Sequence, residues 1–298
     1  MRPHSVHFAA FSSVYLFLVW RRIRRAEWWM VAALAAAPGF LHRMEMPRAQ
    51  AWAVVWGVWG MLCPGVGGAV VHELPLACVF TWLYNAFPAL LGIAVCFVLA
   101  ERMRNGRWSL RPLSHASAGV ALGLVVNTYF PSNLRFMFHH YGDRVWISEA
   151  VAVGSEWHSF ALAEWLGWVG LLALLAGAGA LLHRRRERWS VEDLATSLAA
   201  LLFLVMLRHS SRFIEYFVPF AAVALALRWH ESVDGWVRSW KPRRRAWLAA
   251  ALAVWLGVTT VIAALQLRSR PPADLYRGAS TWIRNHALPR GRHDASSC

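Results

Sequence analysis

The chain has 298 residues; 58% are hydrophobic, only 16% are charged, and 19 are Trp. A soluble domain carries roughly a quarter charged residues, so this composition argues against an ordinary soluble enzyme domain. The formal net charge of +15 would suggest nucleic acid on a soluble protein. Here the cations are gathered in tight runs between apolar segments, the pattern of cytoplasmic loops, and nucleic acid is not the expected partner.

Taken in chain order, apolar runs mark candidate spans at 7–20, 28–42, 51–71, 76–100, 115–130, 160–182, 194–207, 213–228 and 246–267. A bilayer core about 30 Å thick asks for about 20 mostly apolar residues per helical crossing. The expectation is an all-α fold: a polytopic transmembrane bundle of about eight spans over residues 1–267, then a short extracytoplasmic tail, 268–298. The expected location is the cytoplasmic (inner) membrane, as a multi-pass protein with its C-terminal tail outside and membrane lipids as partners.

Basic runs set the orientation. Arg21, Arg22, Arg24 and Arg25; Arg102, Arg104, Arg107 and Arg111; Arg184, Arg185, Arg186 and Arg188; and Lys241, Arg243, Arg244 and Arg245 all read as cytoplasmic. After residue 100 the alternation is consistent, with 131–159 an external loop and 208–212 a short external turn. In the first hundred residues it is not. The runs 21–25 and 101–111 need an even number of crossings between them, and 28–42, 51–71 and 76–100 supply three. Pro38 and Gly39 break the first of these, and Pro64, Gly65, Gly67 and Gly68 the second, so either is a candidate for an interfacial or re-entrant segment. Trp20, Trp28, Trp29, Trp108, Trp157, Trp189, Trp229 and Trp247 flank the runs as amphipathic anchors at headgroup depth. Cys63, Cys78 and Cys96 lie in apolar runs and Cys298 at the end of the chain; their spacing is that of neither a metal knuckle nor a disulfide framework. An apolar run at 8–20 precedes its basic cluster, the reverse of a cleavable signal.

Two polar stretches are more than anchors. The first, 127–159, contains Asn127, Tyr129, Arg135, His139, His140, Glu156 and His158 among Phe130, Phe136, Met137 and Phe138. It reads either as an ordinary interfacial helix or as one wall of a cleft at the membrane surface. The second is Arg208-His209-Ser210-Ser211-Arg212-Phe213-Ile214-Glu215-Tyr216. On a helix Arg208, Arg212, Glu215 and Tyr216 would share a face, and an acid near the start of a span calls for a cationic partner. This stretch is either a structural ion pair holding a turn or a pair of guanidiniums for a phosphate or pyrophosphate, which they bind through paired charge-assisted hydrogen bonds. His139, His140, Glu156 and His158 leave room for a divalent metal, though their spacing is not diagnostic.

The order Asn127-x-Tyr129-Phe130-Pro131-x-Asn133-Leu134, then Glu156-Trp157, then Arg208-x-x-x-Arg212-Phe213-x-Glu215-Tyr216-x-x-Pro219 resembles the C-terminal portion of bacterial GT-C-type glycosyltransferase-like membrane proteins. Tyr276-Arg277-Gly278-Ala279-Ser280-x-Trp282-Ile283-Arg284 is similar to the start of the extracytoplasmic domain that follows the last span in many of them. The resemblance implies transfer of a sugar from a polyprenyl-phosphate donor, with Arg208, Arg212 and Arg135 on the lipid phosphate and Asn127, Tyr129, His158, Glu215 and Tyr216 in support. It also implies a catalytic Asp or Glu in a first external loop, and here the chain departs: Met1 to Trp20 contains neither. Glu156 is the stand-in for the base that such chemistry needs within hydrogen-bond reach of the acceptor. The expectation is a fragment or degenerate relative without the catalytic segment. The rivals are a transporter, which would show paired broken helices and mid-membrane polar groups, and a non-catalytic scaffold or subunit. The oligomeric state is open.

Overall fold

A computed structural model describes residues 3–37, 40, 70–83, 86–138, 161–175 and 189–268. Among these residues all regular structure is helical: α1 (Pro3–Trp20), α2 (Ala26–Ala36), α3 (Val70–Leu83), α4 (Phe87–Asn105), α5 (Arg111–Val126), α6 (Leu162–Trp165), α7 (Val191–Leu207), α8 (Ile214–Ser239) and α9 (Pro242–Arg268). A π-helical turn, Leu166–Gly170, continues α6, and a 3-10 turn, Ser211–Phe213, leads into α8.

Local chemistry sets the helix ends. Ser190 and Asp193 form a capping box at the start of α7: the Ser190 hydroxyl accepts from the Asp193 N–H at 3.1 Å, and the Asp193 carboxylate accepts from the Ser190 N–H at 3.0 Å. Gly106 closes α4 with φ 70°, a conformation that favours glycine. The single run expected over 76–100 is two helices, because α3 ends at Leu83 and α4 begins at Phe87 with Pro88 in its first turn. The run expected to stop at 228 instead continues as α8 to Ser239.

The helices form an array rather than a ring. α3 packs on α5, α5 on α4, α4 on α7, α7 on α8, α8 on α1 and α2, and α9 on α2. The core is centred on α8, where Ile214, Phe217, Phe220, Ala221 and Val223 are essentially fully buried against Phe203 and Leu207 of α7 and Phe17 of α1.

The expected multi-pass location is overturned: among the described residues no helix is long and apolar enough to cross a membrane. At 1.5 Å per residue α2 is about 16 Å long, α3 about 21 Å and α5 about 24 Å, all short of a 30 Å core. α8 and α9 have the length; Glu215, Arg228, Glu231, Asp234 and Arg238 interrupt α8, and α9 carries Arg243, Arg244 and Arg245 in its first turn. The expectation of about eight spans fails with it, and the all-α class stands.

Candidate functional site

The 208–216 stretch is a corner, not one helix. α7 ends at Leu207 and Arg208 caps it; His209 and Ser210 turn; Ser211–Phe213 forms the 3-10 turn; Glu215 and Tyr216 open α8. The single helical face expected for Arg208, Arg212, Glu215 and Tyr216 therefore does not exist, since the chain changes direction at His209–Ser210, between Arg208 and the other three. Ser210 causes the change: its backbone is extended, and its hydroxyl accepts from the Arg212 N–H.

An aromatic cluster fixes this corner. Phe203 stacks on Tyr216 with ring centres 4.9 Å apart and lies 6.4 Å from Phe213 and 5.6 Å from Phe220. Arg208 is exposed, Arg212 half-buried, and Glu215 only 1% exposed. Ser210, Ser211, Arg212, Glu215 and Tyr216 all engage partners.

Below the corner lies a small apolar pocket, partly open to solvent, lined by Phe11 and Val14 of α1, Met30, Ala33 and Leu34 of α2, Phe40, and Val218, Pro219 and Ala222 of α8. Glu215, Val218, Pro219 and Ala222 stand three and four apart, so one face of α8 runs from the buried carboxylate into the pocket. Pro219 has no N–H to give the Glu215 carbonyl one turn earlier.

Asn127, Tyr129 and Arg135 lie elsewhere in the array. Asn127 caps α5, and its side chain accepts from the Tyr129 N–H at 3.0 Å. Tyr129 is 75% exposed and Arg135 is exposed on residues 132–138, which are helical. Asn133 ties this segment back to α5 by donating to the Leu124 carbonyl at 2.8 Å. α5 packs mainly on α3 and α4, with α4 between it and α7, so the two stretches belong to different parts of the array. Glu156, His158, His139 and His140 lie outside the described residues. Among the described residues no group of three or more His, Cys, Asp or Glu side chains could hold a metal ion.

Sequence reasoning missed three further features. Asp234 binds Arg24, Arg25 and Arg238 at 2.8, 3.1 and 2.9 Å. Arg228 lies over the Trp189 ring, its guanidinium carbon 3.2 Å from the ring centre, and burial lowers its pKa. On α3, Glu73 faces His115 of α5 at 3.4 Å, and burial raises the carboxyl pKa despite that partner. Charged residues between apolar runs were the available signal for all three, but their partners are up to 210 residues away. Comparison with family models, with curated proteins and with solved structures finds no match for this chain.

Proposed function

We propose that the chain binds an amphiphile with a phosphate or pyrophosphate head, of the polyprenyl-phosphate-sugar class, at the α7–α8 corner. The observation that carries this reading is the continuity of one α8 face from the Arg212–Glu215 corner into a wholly apolar pocket. Guanidinium suits the head, because it makes paired charge-assisted bonds to phosphate oxygens. The pocket suits an isoprenoid tail, because burying apolar surface contributes about 25 cal/mol per Å². Its enclosed space is small and part of it is open to solvent, so a tail would lie along the apolar wall rather than be enclosed by it. Exposed Arg208 is the group that reaches the head, and half-buried Arg212 holds the corner. The glycosyltransferase resemblance points to the same ligand class. The reading is of binding: α1 has no carboxylate to act as a base, and no transfer step is assigned to this chain.

Titration of the purified chain with a short-chain polyprenyl phosphate tests the site. Charged hydrogen bonds contribute about 1.5–3 kcal/mol, so Arg208→Ala should weaken binding by roughly ten- to a hundredfold. Ala222→Trp should fill the pocket and weaken the polyprenyl ligand while leaving inorganic phosphate unaffected. If both variants bind the lipid as the wild type does, the site is wrongly placed.

A further inference from the structure

The basic runs among the described residues meet at one end of the array. α7 and α8 form a hairpin through the 208–213 connection, so the start of α7 lies beside the far half of α8, where Arg228 stacks on Trp189. α4 runs against α7, since a Cβ added at Gly92 near the start of α4 would lie 2.9 Å from Leu202 near the end of α7. The two helices pack together, which brings Arg102, Arg104 and the Gly106 turn level with the start of α7. The α1–α2 turn joins the same end through Asp234, whose carboxylate accepts from Arg24 and Arg25. Arg245 completes it by donating to the Arg238 and Trp240 carbonyls at 2.8 and 3.1 Å, folding the start of α9 onto the end of α8. The α7–α8 corner lies at the opposite end.

We infer that this basic end is a docking surface for anionic phospholipid headgroups. Its charge is in excess: among the described residues the Arg and Lys of the runs 21–25, 102–111 and 241–245 outnumber the acids beside them, Glu27, Glu101, Glu192, Asp193, Glu231 and Asp234; Asp234 already faces three guanidiniums, while Arg104, Arg107, Arg243 and Arg244 stand exposed. Indole rings are interleaved with the cations: Trp20 is 41% exposed, Trp108 64%, Trp236 59% and Trp247 67%. Arg21 lies over Trp20 at 5.9 Å and Arg102 over Trp108 at 5.8 Å. Guanidinium matches lipid phosphate, and indole is the side chain that rests at headgroup depth with its apolar body inward. Trp20, Trp236 and Trp247 lie on α1, α8 and α9 and Trp108 on the α4–α5 connection, so they are not successive positions of one element, as a stacking platform for nucleic-acid bases would favour. Docking of this kind is peripheral and needs no helix to enter the bilayer core.

Vesicle flotation with the full chain tests this. Vesicles of equal parts phosphatidylglycerol and phosphatidylcholine should carry the protein, those of phosphatidylcholine alone should carry far less, and added salt should release it. A chain with Arg104→Glu, Arg107→Glu, Arg243→Glu and Arg244→Glu should lose partition on the order of a hundredfold or more, each cation near an anionic surface contributing about fivefold. Equal capture by neutral and anionic vesicles, or salt-independent capture by the wild type, overturns the inference without recourse to the variant. Capture by an immobilised single-stranded oligonucleotide at a salt concentration that abolishes capture by anionic vesicles overturns it in favour of nucleic acid.

Discussion

Asp234 is 4% exposed and bonds Arg24, Arg25 and Arg238, and the Arg24 hydrogen bond is the main reason its carboxyl pKa falls below the ordinary value. A carboxylate with a depressed pKa stabilises the fold above the unfolded pKa of about 4 and ceases to do so as pH falls through its lower folded value. Asp234→Asn should therefore melt below the wild type at neutral pH, and the gap should close as pH drops below about 4 in thermal scans. A constant gap from pH 7 to pH 3 would assign the loss to something other than charge. The basic run 21–25 was plain in the sequence as a loop on one side. That Asp234 clamps its Arg24 and Arg25 was not, because these partners are brought together only by tertiary packing. Cys96 was more legible: placed in an apolar run as a small hydrophobe, it is buried, and burial raises its thiol pKa to about 11.

At the scale of elements, the α3–α5 contact depends on two glycines. A Cβ at Gly119 would collide with the Leu74 carbonyl and lie 2.7 Å from the Ala77 Cβ, and one at Gly123 would lie 2.9 Å from the Thr81 Cβ. The spacing of four puts both on the face that lets the backbones approach. Gly119→Leu should destabilise the chain by about 2 kcal/mol or more through overpacking, read as a fall in the denaturation midpoint, while the same change at Gly235, where an added Cβ meets nothing within 4 Å, should cost less. The pair was visible as letters but did not announce itself, because its significance depends on which helix lies opposite. α8 shows the other failure. Reading stopped at Arg228 because a charge ended the apolar run, yet the helix continues to Ser239, with Asp234 and Arg238 paired on it. The 208–216 corner was found by residue type and misread in shape: the arginines and the carboxylate were recognised, but the extended backbone at Ser210 separates Arg208 from Arg212, Glu215 and Tyr216.

For the whole molecule, the all-helical class followed from long apolar runs broken by Pro, Gly and basic clusters. The step from apolar runs to membrane crossings did not hold, since helix ends fall inside those runs at Leu83, at Ala36 and at Val126. Of the candidate site, the arginine pair and its Glu and Tyr were legible. The pocket was not, because α1 and α2 contribute to it from the opposite end of the sequence. The array also places its buried residues unevenly. α8 is enclosed by α7, α1 and α2, whereas α9 packs mainly on α2, with the Trp255 indole N–H donating to the Ala35 carbonyl at 2.6 Å, and leaves Trp247, Val254, Val261 and Leu265 exposed. Such unequal burial implies that the molecule does not open all at once. Deuterium uptake should begin in α9 and come last in the first half of α8. Detachment of α9 would uncover α2, one wall of the apolar pocket, so the last helix is placed to govern how readily that wall moves.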